Sequence, residues 1–241
     1  MSRGNLTAFT CRVVPTKVGD DMPFQPFDPA AVHKHEKGSL PHWRQWGASY
    51  FITSRLADSV PVSLRNAWRA RRDAWLAAHG VSTPEVLVDK SRREYHREFT
   101  AVYHTLLDAG HGECVLACPE CAEIVIARLL AGHTRAYQLD AWVIMPNHLH
   151  ALVEPAKGSL LGDIVKSWKG GSAREINRLL GRSGALWQKE PFDHIVRSEA
   201  QGEHFRRYIA ENPAKAGLRS GFVVGRGSEV VSDFSRSDYR A

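Results

Sequence analysis

The sequence holds no window of roughly 18 or more uninterrupted apolar residues, so nothing in it reads as a membrane span. Cysteine is scarce: Cys11 and the tight group Cys114, Cys118 and Cys121 are the only four, which is no secreted disulfide framework. The stretch Met1 to Phe27 lacks the basic start and apolar core of a secretory signal. No internal repeat is visible. These absences predict a cytoplasmic protein with reduced thiols and no membrane partner. What is present is ordinary globular composition, 43% hydrophobic and 24% charged over 241 residues, enough for one domain with extensions. The net charge of +6 and pI near 9.3 permit an anionic partner without requiring one.

Pro15, Pro23, Pro26 and Pro29 break up any regular element, so residues 1–38 read as an irregular arm ahead of a domain at 39–222. Tyr50-Phe51-Ile52-Thr53 is a short β-prone run. Residues 60–118 read as a helical insertion. There Leu64, Trp68, Trp75 and Leu76 recur near a 3.6 period, with Arg65, Arg69, Arg71 and Arg72 on the wetter side. A second helix opens at Pro84 and carries Tyr95, Phe99, Val102, Tyr103 and Leu106; a third follows Pro119. Tyr137 to Met145 and His148 to Glu154 alternate with period two about the turn Pro146-Asn147, which predicts an antiparallel hairpin.

A helix after Leu160 is expected to stop or bend at Gly170-Gly171 and restart at Ser172. Phe192 to Val196 is a strand candidate. Ser198 to Gln201 has capping-box spacing and opens a helix through Tyr208 that should end at Asn212, before Pro213. Residues 223–241 read as a disordered tail. The order of elements predicts an α+β sandwich, an antiparallel sheet with helices on one face.

Two short stretches carry candidate chemistry. On a strand, His148, His150, Leu152 and Glu154 share one face, while Leu149, Ala151 and Val153 make the other wholly apolar. Paired imidazoles beside a turn can hold a divalent ion, although a lone His-x-His pair is more often structural. On a helix, Tyr208 and Asn212 lie one turn apart and rotated from the apolar pair Phe205 and Ile209. They offer a phenol nucleophile and one polar ligand, or simply a packing tyrosine.

The wider text decides between these readings. Ala141-Trp142-Val143-Ile144-Met145-Pro146-Asn147-His148-Leu149-His150 resembles the histidine strand of the IS200-like single-tyrosine transposases of the HUH superfamily. Tyr208-Ile209-Ala210-Glu211-Asn212-Pro213-Ala214-Lys215-Ala216-Gly217-Leu218 resembles their nucleophile helix. Leu40-Pro41-His42-Trp43, Ala173-Arg174-Glu175-Ile176-Asn177 and Trp187-Gln188-Lys189-Glu190 are similar to the subgroup of REP-associated tyrosine transposases. The resemblance implies a ferredoxin-like sandwich with the tyrosine on a flanking helix. It implies His148, His150 and Asn212 as ligands of Mg²⁺ or Mn²⁺, and Tyr208 as the nucleophile of a 5′-phosphotyrosine intermediate. The implied partner is single-stranded DNA with a REP-like hairpin, handled by a monomer or homodimer. A catalytically inactive hairpin-binding protein is the alternative.

Lys166, Lys169, Arg174, Arg178, Arg182, Arg206 and Arg207 are candidates for contacts to the DNA backbone, and Trp43 and Trp46 for base stacking. A charged helix face is also commonly just solvated. His204, one turn before Tyr208, is read as a solvent-facing residue rather than its base. His111 with Cys114, Cys118 and Cys121 lacks the full ligand set of a structural zinc site. Two departures from the family pattern are Gly170-Gly171 in the basic helix and the missing Trp-Ser-Ser type ending.

Overall fold

The computed structural model describes residues 34–37, 41–45, 47–189 and 191–232. The arm through residue 33, Trp46, Glu190 and the tail from 233 lie outside the described residues. Strands β1 (Lys34–Lys37) and β2 (Pro41–Arg44) pair antiparallel, so the end of the expected irregular arm is a strand. Trp43 lies on β2, opposite His35.

The main sheet has six strands. In chain order they are β3 (Tyr50–Arg55), β4 (Tyr137–Met145), β5 (His148–Pro155), β6 (Phe192–Ile195), β7 (Val223–Arg226) and β8 (Glu229–Ser232). Their spatial order is β6-β3-β5-β4-β7-β8, every pairing antiparallel. The β4–β5 hairpin turns at Pro146-Asn147, and its register shifts between Leu139 and Trp142. That irregularity inverts the alternation of β4, so Tyr137 and Leu139 share a core with Trp142 and Ile144.

Helices cover both faces of the sheet. α4 (Pro119–Leu130) and α5 (Leu161–Leu179) bury Val125, Leu129, Ile164, Val165 and Trp168 against Tyr50, Ile52, Leu149, Ala151 and Val153. α6 (Glu199–Lys215) packs Phe205 and Ile209 on Phe51, Val143, Met145 and Leu152 on the other face. The α+β sandwich expectation holds, with one correction: the tyrosine helix lies on the face opposite α4 and α5. Phe51, Val143 and Leu152 make that second face apolar too, and α6 removes it from water.

The insertion comprises α1 (Val62–Ala78), α2 (Asp89–Tyr95) and α3 (Ala101–Asp108), with one π turn at His96–Thr100 joining the last two. Leu76, Leu87, Tyr95 and Phe99 form its own small core. Asn147, buried in the β4–β5 turn, donates from Nδ2 to the Leu107 and His111 carbonyls at 3.0 and 3.1 Å and so fastens the end of α3 to the sheet.

Three further expectations are corrected. α5 runs unbroken through Gly170-Gly171, because a Cβ at Gly171 would stand 2.8 Å from Arg128 Cδ; this glycine permits close helix crossing and does not end the helix. α6 continues past Pro213 to Lys215. The ring removes one backbone donor near the helix end, and Ala216 N still reaches Asn212 O at 3.0 Å. Residues 223–232, expected to be disordered, extend the sheet as β7 and β8. Gly225 faces Trp142 there, and a Cβ would meet the indole at 2.1 Å. Gly225→Ala is therefore expected to cost about 1–3 kcal/mol through overpacking, lowering Tm by roughly 3–10 °C. An unchanged melting temperature would remove these strands from the folded unit.

Candidate functional site

The period-two reading of β5 holds in space: Leu149, Ala151 and Val153 enter the core beneath α4 and α5, and His148 and His150 point to the α6 side. Their ring centres are 4.7 Å apart. His150 stacks on Phe51 at 5.2 Å and meets the Tyr208 ring edge-on at 5.2 Å.

Each imidazole is pinned through Nδ1. Asn147 Nδ2 is committed to two carbonyls, so its Oδ1 is an acceptor, and His148 Nδ1 must donate to it at 2.7 Å. The Nε2 of neutral His148 then carries a lone pair. His150 Nδ1 is hydrogen-bonded to Thr53 Oγ1 at 2.8 Å, from the neighbouring strand β3. Both Nε2 atoms are buried without a partner. Fixing one ring nitrogen by a hydrogen bond while presenting the other is how metal-binding histidines are commonly oriented.

α6 brings Tyr208 and the fully buried Asn212 to this face, as their spacing predicts. Its start is capped by Ser198, whose Oγ accepts from Gln201 N at 3.2 Å. From the insertion, α3 adds two groups that the sequence reading missed, His104 and Asp108. Tyr208 Oη lies 2.6 Å from His104 Nδ1, and Asp108 Oδ1 lies 3.9 Å from His148 Nε2. Their i, i+4 spacing on one helix was the available signal, a weak one beside the aromatic stripe. Burial, and then the Asp108 charge, push the Tyr208 phenol above its ordinary range, while the Asn212 amide offsets part of this.

A divalent cation fits these groups. Besides the two partnerless Nε2 atoms, Asn212 Oδ1 and Asp108 Oδ1 are buried without a hydrogen-bond partner. Among the described residues no three His, Cys, Asp or Glu gather as a ready metal cluster, and the Asn212 amide oxygen is a further buried donor on this face. Nitrogen and oxygen donors of this kind accept several first-row ions as well as Mg²⁺.

Burial holds four imidazoles neutral: His148 falls to about 3, His104 and His194 to about 4, and His150 well below its ordinary value. In the unfolded chain each takes a proton near 6.5. Between about pH 6.5 and pH 4 the unfolded chain binds more protons, so stability falls as pH drops through that window. Asp108, raised by burial to about 6, and Glu154, also raised by burial, act in the opposite direction, two carboxyls against these four histidines and the likewise lowered His96 and His133. The metal-free protein is expected to lose several kcal/mol between about pH 7 and pH 5, or on the order of 10 °C in Tm. A flat melting temperature across that range would contradict neutral, buried histidines.

The other candidates are spread out. Lys166, Arg174 and Arg178 are exposed on α5, across the sheet from the histidines. Lys169 Nζ donates to the Gln188 and Lys189 carbonyls at 2.5 and 2.8 Å and ties down the loop before β6. Arg206 pairs with Asp140 at 2.7 Å and Glu203 at 3.2 Å, while Arg207 is exposed. Arg182 pairs with Glu113. His204 is exposed, and His104 occupies the place a base for Tyr208 would need. Cys118 Sγ donates to Glu120 Oε2 at 2.9 Å, and Cys121 is buried, so the thiols form no metal site among the described residues. No helix among the described residues is long and apolar enough to cross a membrane.

Comparison with known proteins finds similarity over part of the chain. Residues 126–212 match the family described as transposase IS200-like, a segment containing His148, His150, Tyr208 and Asn212. An uncharacterized protein of Haemophilus influenzae is 30% identical over 32% of this chain and 54% of its own length. The REP-associated tyrosine transposase of Escherichia coli is 29% identical over 34% of this chain and 48% of its own. The chain thus spans about half the length of the curated relatives it matches. A solved REP-associated tyrosine transposase bound to a REP hairpin aligns over 73% of this chain and 74% of that one, at 17% identity and a TM-score of 0.39. Over these parts of its length the chain is similar to the IS200-like transposase family and to a REP-associated tyrosine transposase.

Proposed function

We propose that this protein is a metal-dependent, transposase-like enzyme that cuts and rejoins single-stranded DNA at hairpins through a 5′-phosphotyrosine on Tyr208. The observation that carries the reading is Tyr208 Oη, 2.6 Å from a neutral His104 Nδ1, beside two buried imidazoles whose Nε2 atoms have no partner. With His104 protonated on Nε2, the phenol donates to Nδ1. As Oη attacks the phosphorus, its proton passes to Nδ1, an O–P bond forms and the bond from phosphorus to the 3′ oxygen breaks. The departing oxygen takes a proton from water to become a 3′-hydroxyl, and His104 returns its proton to solvent. A second 3′-hydroxyl reverses the step without ATP, because the phosphotyrosine conserves the diester bond. His148, His150 and Asn212 would hold Mg²⁺ or Mn²⁺, which when bound supplies Lewis-acid stabilisation of charge on the phosphate.

The name of the Escherichia coli relative makes REP-type palindromes the first substrates to try. The test is a 3′-end-labelled hairpin with single-stranded flanks, incubated with the protein and Mg²⁺ or Mn²⁺. A labelled protein band that survives denaturation, with the label mapped to Tyr208, supports the reading. Tight hairpin binding with no adduct in either metal would favour a catalytically inactive hairpin-binding protein. Label on another residue would overturn the nucleophile.

A further inference from the structure

A groove of about 900 Å³ runs between the insertion and the β3–β6 edge of the sheet. It reaches the site at Thr53 and His104, the residues that touch His150 and Tyr208. Among the described residues its walls carry seven cationic side chains, six of them arginines, and one carboxylate, Asp193. Such an excess of one sign in a concave wall focuses positive potential.

Arg55 is held against a ring without a carboxylate partner among the described residues, whereas Arg72 pairs with Asp73 at 2.7 Å. Arg55, on the histidine face of β3, lies 4.8 Å above the Tyr103 ring. Tyr103 meets Trp68 edge-on at 4.7 Å, and Arg72 covers Trp68 at 5.2 Å. Cations and rings therefore alternate along the wall, which orients the guanidinium planes. No carboxylate among the described residues pairs with Arg55, Arg65 or Arg69, and the Nε atoms of Arg55 and Arg65 are buried without an acceptor. Burial, with the charges of Arg69 and Arg65 close by, pulls the Arg55 guanidinium below its ordinary range. Crowded, partly desolvated guanidinium groups cost folding free energy that an incoming anion recovers.

We propose that this groove, built largely by the insertion, binds the single strand beside the hairpin, with Arg55, Arg65 and Arg69 holding successive phosphodiesters and leading the strand to Tyr208. Guanidinium forks suit phosphate oxygens, and the aromatic wall suits an unpaired strand. The inference rests on the DNA-cutting reading for its direction of travel, while the binding itself does not depend on the chemistry. It shifts DNA contact from the exposed cations of α5, across the sheet, to a surface that opens on the nucleophile.

The test measures binding of dye-labelled oligo(dT) of about 20 nucleotides by anisotropy across a salt series. The double variant Arg65→Ala/Arg69→Ala sits on α1, where alanine suits a helix, and its folding is checked by a thermal melt. Its affinity at low salt is expected to fall about 10- to 100-fold, and its salt slope by about 1.4, because two phosphates are no longer neutralised. Lys166→Ala/Arg174→Ala removes equal charge from α5 and is expected to change affinity less than about threefold. Equal losses in both double variants, unchanged binding in the first, or no oligo(dT) binding by the wild-type chain would each overturn the groove. A blunt hairpin without flanks separates stem from strand: equal loss of affinity for it would mean the arginines hold the duplex, against the proposal. Groove-dependent binding without any covalent adduct would sink the proposed chemistry and leave the groove standing; an adduct with unaffected groove variants would do the reverse.

Discussion

Tyr208→Phe is expected to abolish adduct formation and cleavage, a loss of at least about 10⁴-fold, while leaving folding and DNA binding close to wild type. The phenyl ring keeps the edge contacts to Phe51 at 5.8 Å and His150 at 5.2 Å, so packing changes little. What disappears is one hydroxyl and its hydrogen bond to His104 Nδ1. An imidazole left without that partner costs about 1–3 kcal/mol when buried, so a drop in Tm of roughly 3–10 °C is expected with the fold retained. No other hydroxyl stands at His104 Nδ1 among the described residues. Adduct at the wild-type level in this variant would remove Tyr208 from the chemistry. An absent adduct together with absent DNA binding would point to a broken fold instead, and the melt distinguishes the two.

The parts of the site that were legible in the sequence are those set by local geometry. Alternation on β5 sorts Leu149, Ala151 and Val153 from His148 and His150, because the pleat has period two whatever surrounds it. The one-turn spacing of Tyr208 and Asn212 does the same for α6. The family resemblance, carried by those two stretches, is borne out over residues 126–212.

The parts that were not legible are tertiary. His104 reaches Tyr208 across 104 positions of chain, and nothing local in α3 says which neighbour it will meet. Arg65, Arg69 and Arg72 read as a wet face of α1, yet they wall a groove, because the partner surface comes from β3 and β6. The glycines misled for a related reason. Gly171 looks like a break when read along the chain and Gly225 falls in a stretch read as a disordered tail, and each is instead the place where Arg128 or Trp142 comes too close for a Cβ. The second layer of helix was missed because Phe51, Val143 and Leu152 alternate with residues that also face a core.

The second large effect concerns the ion. Mn²⁺ at about 100 times its dissociation constant is expected to stabilise the wild-type chain by about 2.7 kcal/mol, raising Tm by roughly 5–10 °C, and to leave His150→Ala unshifted. The metal-free site leaves His148 Nε2, His150 Nε2, Asn212 Oδ1 and Asp108 Oδ1 buried and unpaired, so a bound cation relieves several desolvation costs at once. Removing His150 deletes one donor and also the ring stacked on Phe51, so the variant starts from a lower baseline through the cavity it leaves. The comparison is for that reason made within each protein, with and without metal. Tyr208→Phe is expected to keep the full shift, because the phenol is bonded to His104 and is not one of the proposed ligands. If His150→Ala gains as much from Mn²⁺ as the wild type, the histidine face of β5 is not the metal site, and the phosphate charge would have to be met by Arg55 and its neighbours alone.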